Sequence, residues 1–193
     1  MDKYGIILAA EEQFARAVAL GLFLKRPLSV WHYLLPGMFI IGFLRRGSSI
    51  RKYSDNYTFH RKQALDAGKD ILEGQGKADR LLQIEGKISD WLASLNLYSE
   101  ELHRTIMKVV DLLVEHYKRL LEVEGDTYDE LIRNGYKNRE QYQAYLSRLT
   151  LAEKEVDKML LEKSTEDDQL GQRILAEQEE VARRRTKSPD QIF

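Results

Sequence analysis

The chain has no cysteine among its 193 residues. That removes disulfides, thiolate metal sites and thiol nucleophiles together, and is compatible with a reducing cytosol. Proline is nearly as scarce. Of its three prolines, Pro27 and Pro36 bracket or split one apolar run, and Pro189 lies near the C-terminal end, so nothing forbids helix from about residue 50 to 185. Strand-like alternation, hairpin turns and short internal repeats are missing too, which leaves no competitor to an all-α fold. The N-terminal segment carries acids at Asp2, Glu11 and Glu12 and lacks the basic-then-apolar layout of a signal peptide, so export by that route is not expected.

Recognisable catalytic and cofactor motifs are also lacking. Glu73-Gly74-Gln75-Gly76-Lys77 has no third glycine and no strand-turn-helix context, and there is no Walker sequence. Arg46-Gly47-Ser48-Ser49-Ile50 stops short of a nucleophile elbow and reads as a flexible joint. Glu100 and His103 have the Glu-x-x-His spacing of carboxylate-bridged di-iron bundles, but a second copy is missing and an acid in a first helical turn is expected for dipole reasons alone. His60 falls on an apolar stripe and reads as a semi-buried histidine. The expectation is a non-enzymatic protein with no cofactor and no metal. A site built from His60, His103 or His116 would need two of them to converge on one carboxylate.

What is present is helical periodicity. Ile50, Tyr53, Tyr57, His60, Ala64, Ala67 and Ile71 step by three and four, toward an end near Gly74 or Gly76. Leu81, Ile84, Ile88, Trp91 and Leu95 repeat the pattern. Leu102, Ile106, Val109, Leu113, Tyr117 and Leu120 form the clearest stripe, opened by Ser99 as N-cap and stopped by Gly125. Thr127 with Glu130 has capping-box spacing ahead of a short helix, with Gly135 as the expected C-cap. Asn138 with Gln141 then opens a stripe of Tyr142, Tyr145, Leu149, Val156 and Met159 or Leu160. A last, sparse helix offers only Leu170, Ile174 and Val181, and the TKSPDQIF tail is expected to be disordered. The fold expected is an all-α, elongated antiparallel helical bundle, with an N-terminal apolar helix-break-helix segment and a loosely packed C-terminal helix. Its parts are an amphipathic helix plus apolar segment (1–49), the bundle (50–163), and a sparse helix with its tail (164–193).

The strongest single signal is the run Leu28 to Leu44, 17 residues without Asp, Glu, Lys or Arg. A straight span needs about 20 mostly apolar residues, and Pro36-Gly37 breaks this run at its middle. Lys25 and Arg26 precede it; Arg45, Arg46, Arg51 and Lys52 follow it. Basic residues at both ends favour entry and exit on one side of a membrane over a single-pass span. A re-entrant or interfacial wedge would then place Trp31, Tyr33, Leu34, Leu35, Pro36, Met38, Phe39, Ile40, Ile41, Phe43 and Leu44 in contact with lipid, and the six basic residues at anionic headgroups. The alternatives are a tilted span and the most buried helix of the bundle. Residues 1 to 62 hold 10 Lys/Arg against 4 Asp/Glu and the remainder 20 against 27, so the basic third contains the run. That distribution suits a lipid surface better than nucleic acid. The preceding helix carries Ile7, Phe14, Val18 and Leu22 on one face and fits an interface or the bundle equally.

Tyr128, Tyr136, Tyr142 and Tyr145, interleaved with Arg133, Lys137, Arg139 and Arg148, suggest a contact surface for a protein partner. Neighbouring acids cancel the field that phosphates would need. The sequence therefore points to a membrane-associated helical scaffold or adaptor, peripheral or monotopic on the cytoplasmic side, that binds a protein partner or copies of itself. The alternative is a soluble cytoplasmic interaction bundle whose apolar run lies in the core or in an oligomer interface.

Overall fold

The computed structural model describes residues 2–24, 36–94, 96–163 and 168–193, and for 23–24, 36–49, 163, 168–173 and 187–188 the backbone alone. Seven helices follow one another: α1 (Lys3–Leu24), α2 (Pro36–Leu72), α3 (Lys77–Ser94), α4 (Glu100–Glu122), α5 (Tyr128–Tyr136), α6 (Arg139–Lys163) and α7 (Asp168–Ile192). No strand occurs among the described residues. The chain is an all-α bundle in which long helices that follow one another along the chain run antiparallel, while α2 and α4 lie side by side in the same direction. Tyr4 meets Asp66, Glu11 meets Arg61 and Phe14 meets Tyr57, so α2 descends as α1 ascends.

Helix α4 is the hub and touches α1, α2, α3, α5 and α6. Its stripe explains this: Leu102, Ile106, Val109, Leu113, Tyr117 and Leu120 are all buried. Fully burying such a side chain contributes roughly 1.5–3 kcal/mol. Ser99 is its N-cap, in an extended conformation, with the hydroxyl accepting from the backbone N–H of Leu102 at 3.3 Å. Thr127 caps α5 by accepting from the N–H of Glu130, whose carboxylate reaches back to the N–H of Asp126 at 2.8 Å. Asn138 accepts from the N–H of Gln141 in the same way at the start of α6.

Three local expectations are corrected. Helix α2 runs unbroken through Arg46–Ile50, where a joint was expected, and its first residue is Pro36. Proline is suited to the first helical position, where its missing N–H has no partner to lose, and an interior glycine costs only about 1 kcal/mol relative to alanine. At the end of α5 the cap is Lys137, with φ +62°, and Gly135 stays helical. A Cβ on Gly135 would come within 3.3 Å of Arg119 and Leu120, so this glycine serves the close approach of α5 to α4. Finally, the TKSPDQIF tail is helical to Ile192, which is buried; the Phe193 ring lies 6.3 Å from Tyr142, and Asp190 pairs with Arg139. Two terminal apolar side chains and one ion pair hold a segment whose composition alone suggests solvent.

Helix α1 belongs to the bundle: Ile6, Ile7, Ala15, Val18 and Ala19 are buried. Helix α7 contributes little apolar surface, as its sequence suggests. Ile174, Val181 and Ile192, with Pro189, are its buried apolar residues among those described, and it also brings Glu180 and Arg185 inside.

Candidate functional site

Four helices each place one charged residue at a position where helical spacing calls for an apolar one. Glu11 stands between Ile7 and Ala15 on α1, and Arg61 between Tyr57 and Leu65 on α2. Glu153 stands between Leu149 and Val156 on α6, and Arg185 follows Val181 on α7. Helical periodicity turns all four inward, where they meet. Arg61 donates through Nη1 to Glu11 at 3.1 Å and through Nη2 to Glu153 at 2.6 Å. Arg185 forks onto both oxygens of the same Glu153 and also donates to the Thr150 hydroxyl. The Tyr117 hydroxyl donates to the second oxygen of Glu11 at 2.8 Å, and the Arg61 guanidinium lies 4.5 Å over the Tyr57 ring.

Two cations and two anions thus neutralise one another in the bundle interior. Removing an ion from water costs several kcal/mol, and only dense pairing with hydrogen bonds offsets it. The electrostatics follow this arrangement. Burial pushes the Glu153 carboxyl up, but Arg185 and Arg61 outweigh that and hold it below its ordinary value. Burial and the same positive charges lower His116 to about 3, so its ring is neutral. His116 Nδ1 lies 2.7 Å from the Tyr136 hydroxyl, and the ring stacks on Tyr145 at 4.2 Å.

The four tyrosines expected at a partner surface are brought together, but around His116. Tyr136 and Tyr142 are buried, and Tyr128 and Tyr145 pack against the core. The Tyr136 and Tyr128 hydroxyls face the two ring nitrogens of His116, and Arg119 lies 4.7 Å over the Tyr136 ring.

Two cavities flank the ionic core. One, of about 530 Å³, is bordered by Glu11, Arg61, His116, Tyr128, Tyr145 and Arg185. The other, of about 320 Å³, is bordered by Tyr57, His60, Trp91, Glu153, Asp157 and Glu177. Both volumes are in the range that holds small ligands. In the second, the Tyr53 hydroxyl donates to Glu177 at 2.7 Å, and burial raises the Glu177 carboxyl to about 7. Burial also raises Asp157, which accepts from the Gln178 amide at 2.9 Å.

The histidines do not converge. His60 borders one cavity and His116 the other, while His103 contacts the Glu85 carbonyl and Glu100 pairs with Arg104. Among the described residues, no group of three or more His, Asp or Glu is arranged to hold a metal ion.

Of the residues assigned to lipid, Trp31, Tyr33, Leu34 and Leu35, with the basic Lys25 and Arg26, lie outside the described residues. Pro36, Met38, Phe39, Ile40, Ile41, Phe43, Leu44, Arg45 and Arg46 form the first turns of α2, and their side chains are likewise outside the description. Arg51 and Lys52 are exposed on α2. No described helix is long and apolar enough to cross a membrane. Compared with known proteins, the chain matches no family model, no characterised protein and no solved structure.

Proposed function

We propose that this protein is a non-enzymatic helical scaffold or adaptor that docks on the cytoplasmic side of a membrane through the Leu28–Leu44 segment and offers its bundle to a protein partner or to another copy of itself. The observation that supports this is the register of α1 against α2. The pairs Tyr4/Asp66, Glu11/Arg61 and Phe14/Tyr57 set Leu24, the last residue of α1, level with about residue 47 of α2. The stretch of α2 from Pro36 to Arg46 therefore extends about 16 Å beyond the end of α1 at 1.5 Å per residue. That stretch holds Met38, Phe39, Ile40, Ile41, Phe43 and Leu44, followed by Arg45 and Arg46. An apolar arm at one end of a bundle, with basic residues where it joins the body, suits insertion to acyl depth under anionic headgroups. Pro36 at the first helical position also makes the break in the run a helix start, as a wedge of two arms requires.

Flotation of the full chain with phosphatidylcholine vesicles, with and without phosphatidylserine, tests the proposal. Binding is expected to both and stronger to the anionic ones. Reversing Arg45→Glu with Arg46→Glu is expected to weaken anionic binding by about 2 kcal/mol or more, at about 1 kcal/mol per basic residue near the surface. A chain that floats with neither vesicle overturns the membrane reading and leaves the run to the core or an oligomer interface.

A further inference from the structure

We infer that the cavity enclosed by α2, α3, α4, α6 and α7, bordered by Tyr57, Trp91, Asp157 and Glu177, is a binding site for a small organic ammonium compound with an apolar or aromatic body. Arg61 and Arg185 are committed to Glu11 and Glu153 in the ionic core, which is neutral without help. Two carboxyl groups remain, Asp157 and Glu177, and neither has a cation within ion-pair distance among the described residues. Glu177 has the Tyr53 hydroxyl and Asp157 the Gln178 amide. His60, from α2, is held neutral, since burial and Arg61 lower it to about 3. Lys154, from α6, borders the cavity but is exposed and forms no ion pair among the described residues. The cavity thus carries two carboxyl groups with no ion-paired partner, against one exposed base at its rim.

Trp91, Ile106, Val109, Val156 and Val181 supply apolar surface, and Trp91 is stacked on Phe59 at 5.3 Å, which fixes its ring. Tyr57 borders the same space, and its hydroxyl is buried with no hydrogen-bond partner among the described residues. Asn56, Lys154 and Ala182 are exposed at the rim, which provides an entrance. Aromatic faces beside unpaired carboxylates are what an ammonium group with an organic body recognises, the faces through cation–π attraction and the carboxylates through charge. A neutral ligand leaves both acids unmatched, and an anionic one adds to the excess. Burial holds the Glu177 carboxyl at about 7, so binding of a cation draws a proton from it, and affinity and pH are linked.

The probe is benzyltrimethylammonium, titrated into the full chain carrying Trp31→Phe so that Trp91 alone reports by fluorescence. Its uncharged carbon isostere, neopentylbenzene, is the control. Saturable quenching by the cation is expected, with Kd about tenfold lower at pH 8 than at pH 6 as the ionised fraction of Glu177 rises through a midpoint of about 7. Glu177→Gln is expected to weaken binding at pH 8 at least about tenfold and to flatten its pH dependence, with unchanged far-UV circular dichroism. Asp157→Asn, a second variant that spares the Tyr53 contact, is expected to weaken it as well. The inference is overturned if quenching does not saturate by about 10 mM, if the isostere binds as tightly as the cation, or if both variants bind like the parent.

Discussion

Replacing Arg61 by methionine isolates the ionic core. Methionine keeps an unbranched apolar stem over the Tyr57 ring and removes the charge that Glu11 and Glu153 share. The two acids are not affected equally. Glu153 keeps the forked contact from Arg185, whereas Glu11 keeps only the Tyr117 hydroxyl among its described hydrogen bonds. One buried carboxylate is therefore left without a cation, a loss of about 3–5 kcal/mol. That is a large share of the 5–15 kcal/mol typical of a folded domain. Urea unfolding followed by helical circular dichroism reads it as a lowered midpoint at unchanged slope. Two further variants make the test specific. Adding Glu11→Gln to Arg61→Met neutralises the stranded group while leaving an acceptor for Tyr117, and at least about 1 kcal/mol should return. Arg104→Met, which breaks the exposed pair with Glu100, should cost only about 1 kcal/mol or less. If Arg61→Met costs no more than Arg104→Met, or if Glu11→Gln restores nothing, the four residues do not form a mutually dependent core.

Two more predictions follow from the same interior. Glu177 binds its proton up to about pH 7 when folded but only to about 4.3 when unfolded, so the folded state holds more protons between those values and stability falls as pH rises across the window. Glu177→Gln should remove that slope, matching the parent near pH 4 and exceeding it above pH 7 by up to about 3 kcal/mol; parallel curves for the two proteins would contradict the buried, unpaired carboxyl. Gly21→Ala should destabilise by about 1–3 kcal/mol, because the added Cβ would lie 2.9 Å from Cγ of Glu180, a fully buried residue whose carboxylate is held by Arg183 and Arg184. Unchanged thermal stability in that variant would mean α1 and α7 do not pack so closely.

The sequence carries helix positions and faces well and the interior chemistry poorly, and the reason is physical. The caps Ser99, Thr127 and Asn138 and the α4 stripe are local features, decided within a few residues of themselves. The ionic core is not local. Glu11, Arg61 and Glu153 are separated by 50 and 92 residues, and each alone is indistinguishable from a surface charge. Their only local trace is that they interrupt apolar series at steps of three and four, with acids on α1 and α6 matched by bases on α2 and α7. The tyrosines show a similar limit. Composition identifies them as contact residues, and only the tertiary structure reveals that they meet His116 inside the bundle. The helical tail is not legible in its own residues because its order depends on distant ones, with Ile192 buried in the bundle and the Phe193 ring beside Tyr142 of α6.

If Leu28–Leu44 enters lipid as proposed, Trp31 within it is a built-in reporter. In a Trp91→Phe variant only Trp31 emits, since the chain has two tryptophans. Adding phosphatidylserine-containing vesicles should shift its emission to the blue, and brominated acyl chains should quench it, as for an indole near the membrane–water boundary. An emission spectrum that neither shifts nor quenches while the bundle stays folded would contradict the account.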